Sequence, residues 1–466
     1  MQIKKTVEVF FILGLFFFPF NQYEGISALG EFRSEAAVVF FIPAFLLILV
    51  YSLFTKKIYF PVGNKLYIIV LLLLVWCLFS FIFNFYDINS YFFKQTKGVD
   101  RFIRQFFSLI LSVVLFFQIY WFVLKDKTVV EILYLIRKIF TYSLILVSIY
   151  GFVEILISFL GFSFLIPLMD LFSYLPFLEP RLHVQGRISS VAYEPPFLAI
   201  YLITIAGWMF SYIFTNNGYK KYIPSIVIVV LTFFSGSRTA LIVVFIQVLF
   251  FLFFLFFYFN KKRMILNFVK ISFISIITIG AFSGHKIYDA IHEKVESLDF
   301  IGNLKSNVSN KSRLGIQYTS LLLFSENPIV GVGFGQQAYE ARGRYPYWST
   351  LNNYEYELFY NNKKEKSFPP GYNIYTRILA EIGLIGFLIF IYLQLSMLKE
   401  AKRLIKLKDE NTKILGLAIY ISLIGLFINW LQIDSFRIYG VWVSLAILII
   451  TSKIKNEQND CSNTAL

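Results

Sequence analysis

The sequence predicts an all-α integral membrane protein of about twelve spanning helices, with one large external loop that contains short helices. Three observations predict it. The 466 residues are 58% hydrophobic, with 56 Phe and a mean hydropathy of +0.67, which no soluble globular domain matches. Apolar runs of about 18 residues recur from end to end, which suits spanning helices and not the short alternating strands of a barrel. The basic residues behind the net charge of +15 gather between these runs. That distribution follows the positive-inside rule and does not resemble a nucleic-acid-binding surface.

The spans read, in order, near Thr6–Phe20, Ala36–Phe54, Leu66–Tyr86, Phe106–Leu124, Ile139–Leu160 and Pro196–Phe214, then Ile223–Phe234, Thr239–Phe259, Leu266–Phe282, Ile374–Leu398, Ile414–Leu431 and Ile438–Ile450. The first follows "MQIKK" like a signal peptide, but no small-residue cleavage site follows it, so it reads as a span. "MQIKK", "TKKIYFPVGNK", "NGYKKY", "NKKR" and "KEAKRLIKLKDENTK" fall on alternate connections, all net positive. They mark the cytoplasmic side and put both termini there. The basic stretch from Lys94 to Arg104 is the exception, because it falls outside. The whole chain, 1–466, reads as a single polytopic domain. Within it, residues 285–371 contain no span and have nearly balanced charges, with much Tyr, Asn and Gly. By the same alternation this long loop faces outward, and "SRLGIQYTSLLLF" predicts an amphipathic helix in it. Two cysteines, Cys77 in a span and Cys461 in the tail, provide neither a disulfide framework nor a thiolate site.

Four stretches carry possible chemistry. In "GRISSVAYEPPFLAIYL" the prolines start a helix near Pro196, which puts Glu194 at its N-terminal mouth, seven residues after Arg187. Glu194 can simply complement the helix dipole; Arg187 fits such an explanation less well, the alternative being a pair with Glu194 or with lipid phosphate. In "FFSGSRTALIVVF", Ser237 can cap a new helix whose first turn holds Arg238. A cation set against the dipole there points to an anion held between them, although an arginine snorkelling to the interface is the alternative. "NPIVGVGFGQ" has three alternate glycines that permit a tight turn with exposed amides, with Arg313 one short helix upstream. Its spacing is not that of a dinucleotide fingerprint. In "PPGYNIYTRILAEIGLIGFLIF", Arg377 and Glu381 are four apart on one helical face and predict a pair. Glu154 lies inside a span with no partner evident in the sequence.

Other chemistries find little support. His285, Asp289 and His292 share one helical face, which a solvated amphipathic helix explains as well as a metal site. There is no DxD motif and no Walker motif, so neither a metal–nucleotide-sugar enzyme nor an ATP-driven one is indicated. The outward loop mixes tyrosines and Trp348 with Arg342 and Arg344, a set suited to stacking on sugars or to packing on lipid headgroups.

Taken in order, "GRISSVAYEPPFLAIYL", "GSRTALIVV", "ENPIVGVGFG" after Arg313 and "YNIYTRILAEIGLIGFL" resemble the O-antigen polymerase and O-antigen ligase superfamily, over about Gly186 to Phe390. The resemblance implies a glycosyltransferase of the bacterial cytoplasmic (inner) membrane. It would act at the outer face on undecaprenyl-diphosphate-linked oligosaccharide, with inversion and with no metal or other cofactor. It implies that Arg187 and Arg238 hold the diphosphate and that Arg313, Tyr372 and Arg377 complete the substrate site. A chain-length regulator would be an accessory partner, and nucleic acid would not be one. Ligases of the superfamily carry a histidine just before the Asn of the last motif. Tyr372 stands there in this sequence, so the resemblance favours a polymerase, with the ligase as alternative. Chemistry adds a role for Glu194: an inverting transfer needs a base for the acceptor hydroxyl, and a carboxylate at the outer mouth of a span is well placed. A polysaccharide flippase is the rival of another class; it calls for more charge within the spans and no long outward loop.

Overall fold

The computed structural model describes residues 2–454, except 26, 57–59, 182–185, 260–265, 267–269, 271–306, 363, 365 and 366. The chain is an all-α integral membrane protein. Eleven of the twelve expected spans fall among the described residues, and each is a helix. The twelfth, Leu266–Phe282, lies outside them, as do His285, Asp289 and His292.

Eight helices are long and apolar enough to cross a bilayer. They are α2 (Ala36–Thr55), α3 (Lys65–Phe83), α4 (Gly98–Leu124), α5 (Val129–Ser158), α6 (Pro195–Thr215), α8 (Arg238–Phe257), α10 (Ile374–Ile405) and α11 (Glu410–Asn429). Three more of the expected spans are shorter helices: α1 (Gln2–Phe16), α7 (Ile223–Phe234) and α12 (Tyr439–Thr451). The stretch expected to form a helix in the long loop is α9 (Val308–Glu326).

Local chemistry starts these helices where polar residues precede apolar runs. Asn64, Ser237, Asn307, Asn373 and Asp409 each accept a backbone N–H of the following turn, and Thr128 forms a capping box with Glu131. Once started, the helices pack on one continuous apolar core, in which α6 and α11 are the most enclosed spans.

Cross-connections sort the helix ends into two layers. At one end Lys4 pairs with Asp126, Lys127 with Glu8, Asn64 bonds Ser452, and Arg403 donates to the carbonyls of Thr451 and Ile454. The first and last described helices therefore end together, among the basic connections. The opposite end collects the start of α6, the α7–α8 and α11–α12 turns, α9 and the described part of the long loop.

The glycine motif of that loop has a structural job. The helix α10 breaks at Gly383 (φ 67°), which frees the carbonyls of Ala380 and Glu381. Val332 N and Gly333 N donate to them at 2.9 Å each, and Leu384 N returns a bond to Pro328 O. The amides expected to be exposed are thus used against the kink, because Gly331 lets the loop lie on the α10 backbone where a Cβ would meet Glu381 C at 2.4 Å. From α3, Ser80 donates to the Glu381 carbonyl, Trp76 to the neighbouring Ile382 carbonyl, and Asn84 to Gly331 O.

Candidate active site at the loop-bearing end

The site begins with how residues 186–194 are held. Glu154, deep in α5, accepts Ser189 N at 3.1 Å and Ser190 N at 2.8 Å. This is the partner that the sequence left unassigned. Ile188 N donates to Phe234 O at the end of α7, Gln22 to Val191 O, and Tyr193 N to Asn21 Oδ1. A segment with Ser190 in the left-handed region (φ 52°) is thereby pinned to three neighbours.

Pinning the segment places Arg187 over the turn between α7 and α8. Its Nη2 lies 3.4 Å from Gly236 O, and a Cβ on Gly236 (φ +66°) would meet Arg187 Nε at 2.8 Å. The next residues are Ser237, which caps α8 by accepting Ala240 N, and Arg238, the first residue of that helix. Both features match the sequence reading. Arg238 reaches Asn310 Oδ1 on α9 at 3.3 Å. One turn on, Arg313 donates to Gln432 Oε1 at 2.7 Å and lies over the Tyr372 ring, 5.0 Å from its centroid.

Three arginines from three separate segments therefore meet. Their mutual repulsion is visible at Arg187: burial and then the Arg313 charge lower its guanidinium pKa, with Glu194 pulling the other way. Arg187 Nε and Arg313 Nε are buried and have no hydrogen-bond partner among the described residues. Guanidinium stays charged under such pressure, so the cluster is a fixed field of positive charge.

Beside this cluster lies a cavity of about 410 Å³. Glu194, Arg313 and Tyr372 line it, together with Glu35, Glu355, Asp434 and Arg437. Glu194 is the N-cap residue of α6, yet its side chain makes no capping bond and is exposed toward the cavity. Tyr372 has a left-handed backbone (φ 57°) and donates its hydroxyl to Glu355 Oε2 at 3.2 Å. Burial, then the Glu355 charge, raises the Tyr372 phenol and keeps it protonated.

Arg377 is placed differently. It is buried and pairs with Glu381 at 3.2 Å as the sequence predicts. It also reaches Asp434 Oδ2 at 3.5 Å, Asp434 O at 2.7 Å and Gln105 Oε1 at 2.8 Å. It does not line the cavity; it ties α10 to the α11–α12 turn beneath it. Arg437 pairs with Glu35 at 3.2 Å and Glu31 at 3.5 Å, so the far wall is a closed ionic network. Burial raises the Glu35 carboxyl, with Arg437 opposing it.

The sequence reading did not single out Glu35, Glu355, Asp434 and Arg437. A signal existed for two of them: "QIDSFRIYG" sets an Asp and an Arg between two apolar runs. Among the described residues no group of His, Cys, Asp and Glu could hold a metal ion.

Comparison with known proteins gives two similarities, each over part of the chain. Over 247 residues the chain is 24% identical to a Rickettsia conorii protein named "Putative polysaccharide ligase", which covers 52% of each chain. The chain thus matches about half the length of that curated relative. Residues 223–391, which carry Arg238, Arg313, Glu355, Tyr372 and Arg377, match the family model described as O-antigen ligase, and in this part the chain is similar to that family.

Proposed function

We propose that this protein is a membrane glycosyltransferase that moves a glycan from a lipid-linked diphosphate to an acceptor hydroxyl. The observation that carries the reading is the meeting of Arg187, Arg238 and Arg313 at the edge of a cavity lined by carboxylates. As the sugar's C1–O bond to the diphosphate breaks, its electron pair leaves with the phosphate oxygens. Arginines fixed beforehand stabilise that charge without a metal. The acceptor oxygen bonds to C1, and its proton passes to a carboxylate of the cavity. Asp434 and Glu35 are tied to Arg377 and Arg437, which leaves Glu194 and Glu355 as the candidate bases.

The donor fitting this site is undecaprenyl-diphosphate-linked oligosaccharide, presented at the outer face of the inner membrane, with both termini cytoplasmic. The family description and the relative's name both favour a ligase, which transfers a finished glycan to a lipid-anchored core. Tyr372 in place of the ligases' histidine supports a second reading, a polymerase joining repeat units.

The glycan profile of a deletion strain separates the readings. A ligase leaves the core without repeats while long lipid-linked chains accumulate. A polymerase leaves a single repeat on the core. An unchanged profile and an unchanged lipid-linked pool contradict both.

A further inference from the structure

Which group takes the acceptor's proton is open in the account above, and the cavity narrows the choice. Four carboxylates line it: Glu35, Glu194, Glu355 and Asp434. Glu35 is committed to an ion pair with Arg437 and Asp434 to one with Arg377, so a proton on either would break a contact that holds the fold. Glu194 acts electrostatically on Arg187, on the leaving-group side of the site. Glu355, like Glu194, makes no ion pair among the described residues, but it accepts a hydrogen bond from the hydroxyl of Tyr372.

Tyr372 is itself held in place. Its backbone is left-handed, an uncommon state for an aromatic residue and one that persists only where neighbours enforce it. Gly371 N is held by Asp434 Oδ2 at 2.8 Å on one side, and Asn373 caps α10 on the other. The Arg313 guanidinium covers the ring, so the phenol stands between a phosphate-binding cation and an uncommitted carboxylate.

Resting on the transferase reading, we propose that Tyr372 and Glu355 form the proton-accepting pair of the reaction. The phenol oxygen accepts the acceptor hydroxyl's proton as its own proton passes to Glu355. The acceptor oxygen forms the new bond to C1, and the C1–O bond to the diphosphate breaks with its electron pair on the leaving group. One proton thus ends on the Glu355 carboxylate, and no oxidant, metal or further reactant is needed. Tyr372 is the catalytic hydroxyl; Glu355 acts through it.

The test uses purified full-length protein with lipid-linked oligosaccharide donor and acceptor, and reads turnover, donor affinity and the pH profile. Glu355→Gln and Tyr372→Phe should each slow turnover by about 10²-fold or more while donor affinity stays within about twofold. Glu355→Gln should also lose the acid limb of the pH–rate profile, a change that a structural role would not produce. Tyr372→His supplies a group that takes the proton itself, so the double variant Glu355→Gln with Tyr372→His should regain activity over Glu355→Gln alone. Wild-type turnover in Glu355→Gln, or an unchanged acid limb, overturns the pair. If Glu355→Gln does not fold, Glu355→Asp decides: an unshifted acid limb overturns the pair. Loss of donor affinity in Arg187→Ala tests the transferase reading separately, so the two can fail independently.

Discussion

Arg313 and Arg437 line the same cavity, yet each belongs to a set of arginines built in the opposite way to the other. Arg377 and Arg437 are surrounded by acceptors: Glu381, Asp434, Gln105, Glu35 and Glu31 all bond or pair with them. Arg187 and Arg313 press on each other electrostatically, each leaves a buried Nε unmet among the described residues, and neither is in an ion pair there. Partly buried cations without a counter-charge are costly, and an anion arriving from outside would relieve that cost. On the proposed function, the difference separates arginines that hold the fold from arginines that would hold a ligand, although all of them lie at the loop-bearing end.

The comparison predicts that the two clusters fail differently. Removing a partner from the closed network should have the largest effect. Arg377→Ala leaves Glu381 buried and uncompensated and should destabilise the protein by about 3–5 kcal/mol, seen as a lower unfolding midpoint in detergent or loss of folded protein. Arg187→Ala and Arg313→Ala should leave that midpoint nearly unchanged and lower turnover by about 10²–10³-fold. Lys at either position should rescue only part, because a point charge does not reproduce the guanidinium fork. A normal midpoint in Arg377→Ala, or a collapsed one in Arg187→Ala, would break the distinction.

The segment bearing Arg187 sharpens it further. Glu154→Ala strips two buried amides, Ser189 N and Ser190 N, of their acceptor. It should cost about 1–3 kcal/mol of stability and weaken donor binding through Arg187. The smallest expected effect is at Gly236. A left-handed alanine costs about 1–2 kcal/mol, and the added methyl pushes Arg187 aside. Donor affinity in Gly236→Ala should fall by about tenfold with turnover at saturation retained. A fall in turnover with affinity unchanged would show that Arg187 acts in the bond-breaking step alone.

How much of this the sequence showed follows from the range of each interaction. Helices written by long apolar runs were legible, because burial in lipid needs only a continuous stretch of chain. Ser237 capping α8, Arg238 following it, and Arg377 pairing with Glu381 were also legible, since each involves residues at most four apart. Glu194 was placed correctly at the helix start, but whether it caps the helix depends on the pinned segment before it. What stayed hidden spans long separations. Glu154 meets the amides of Ser189 and Ser190 through the packing of α5, and Glu355 meets Tyr372 across a turn of the long loop. The glycine motif misled for a related reason. Its spacing permits free amides, and only the break in α10 at Gly383 shows where they go.

The central claim is that Arg187 and Arg313 form a diphosphate site, and direct binding tests it most simply. Undecaprenyl diphosphate would be titrated into the purified protein and into the Arg187→Ala/Arg313→Ala double variant, both in detergent, with inorganic diphosphate as competitor. The account predicts saturable binding by the wild type that inorganic diphosphate displaces, weakened by about 100-fold or more in the double variant. Equal affinity in the two proteins, with the fold intact, would contradict it.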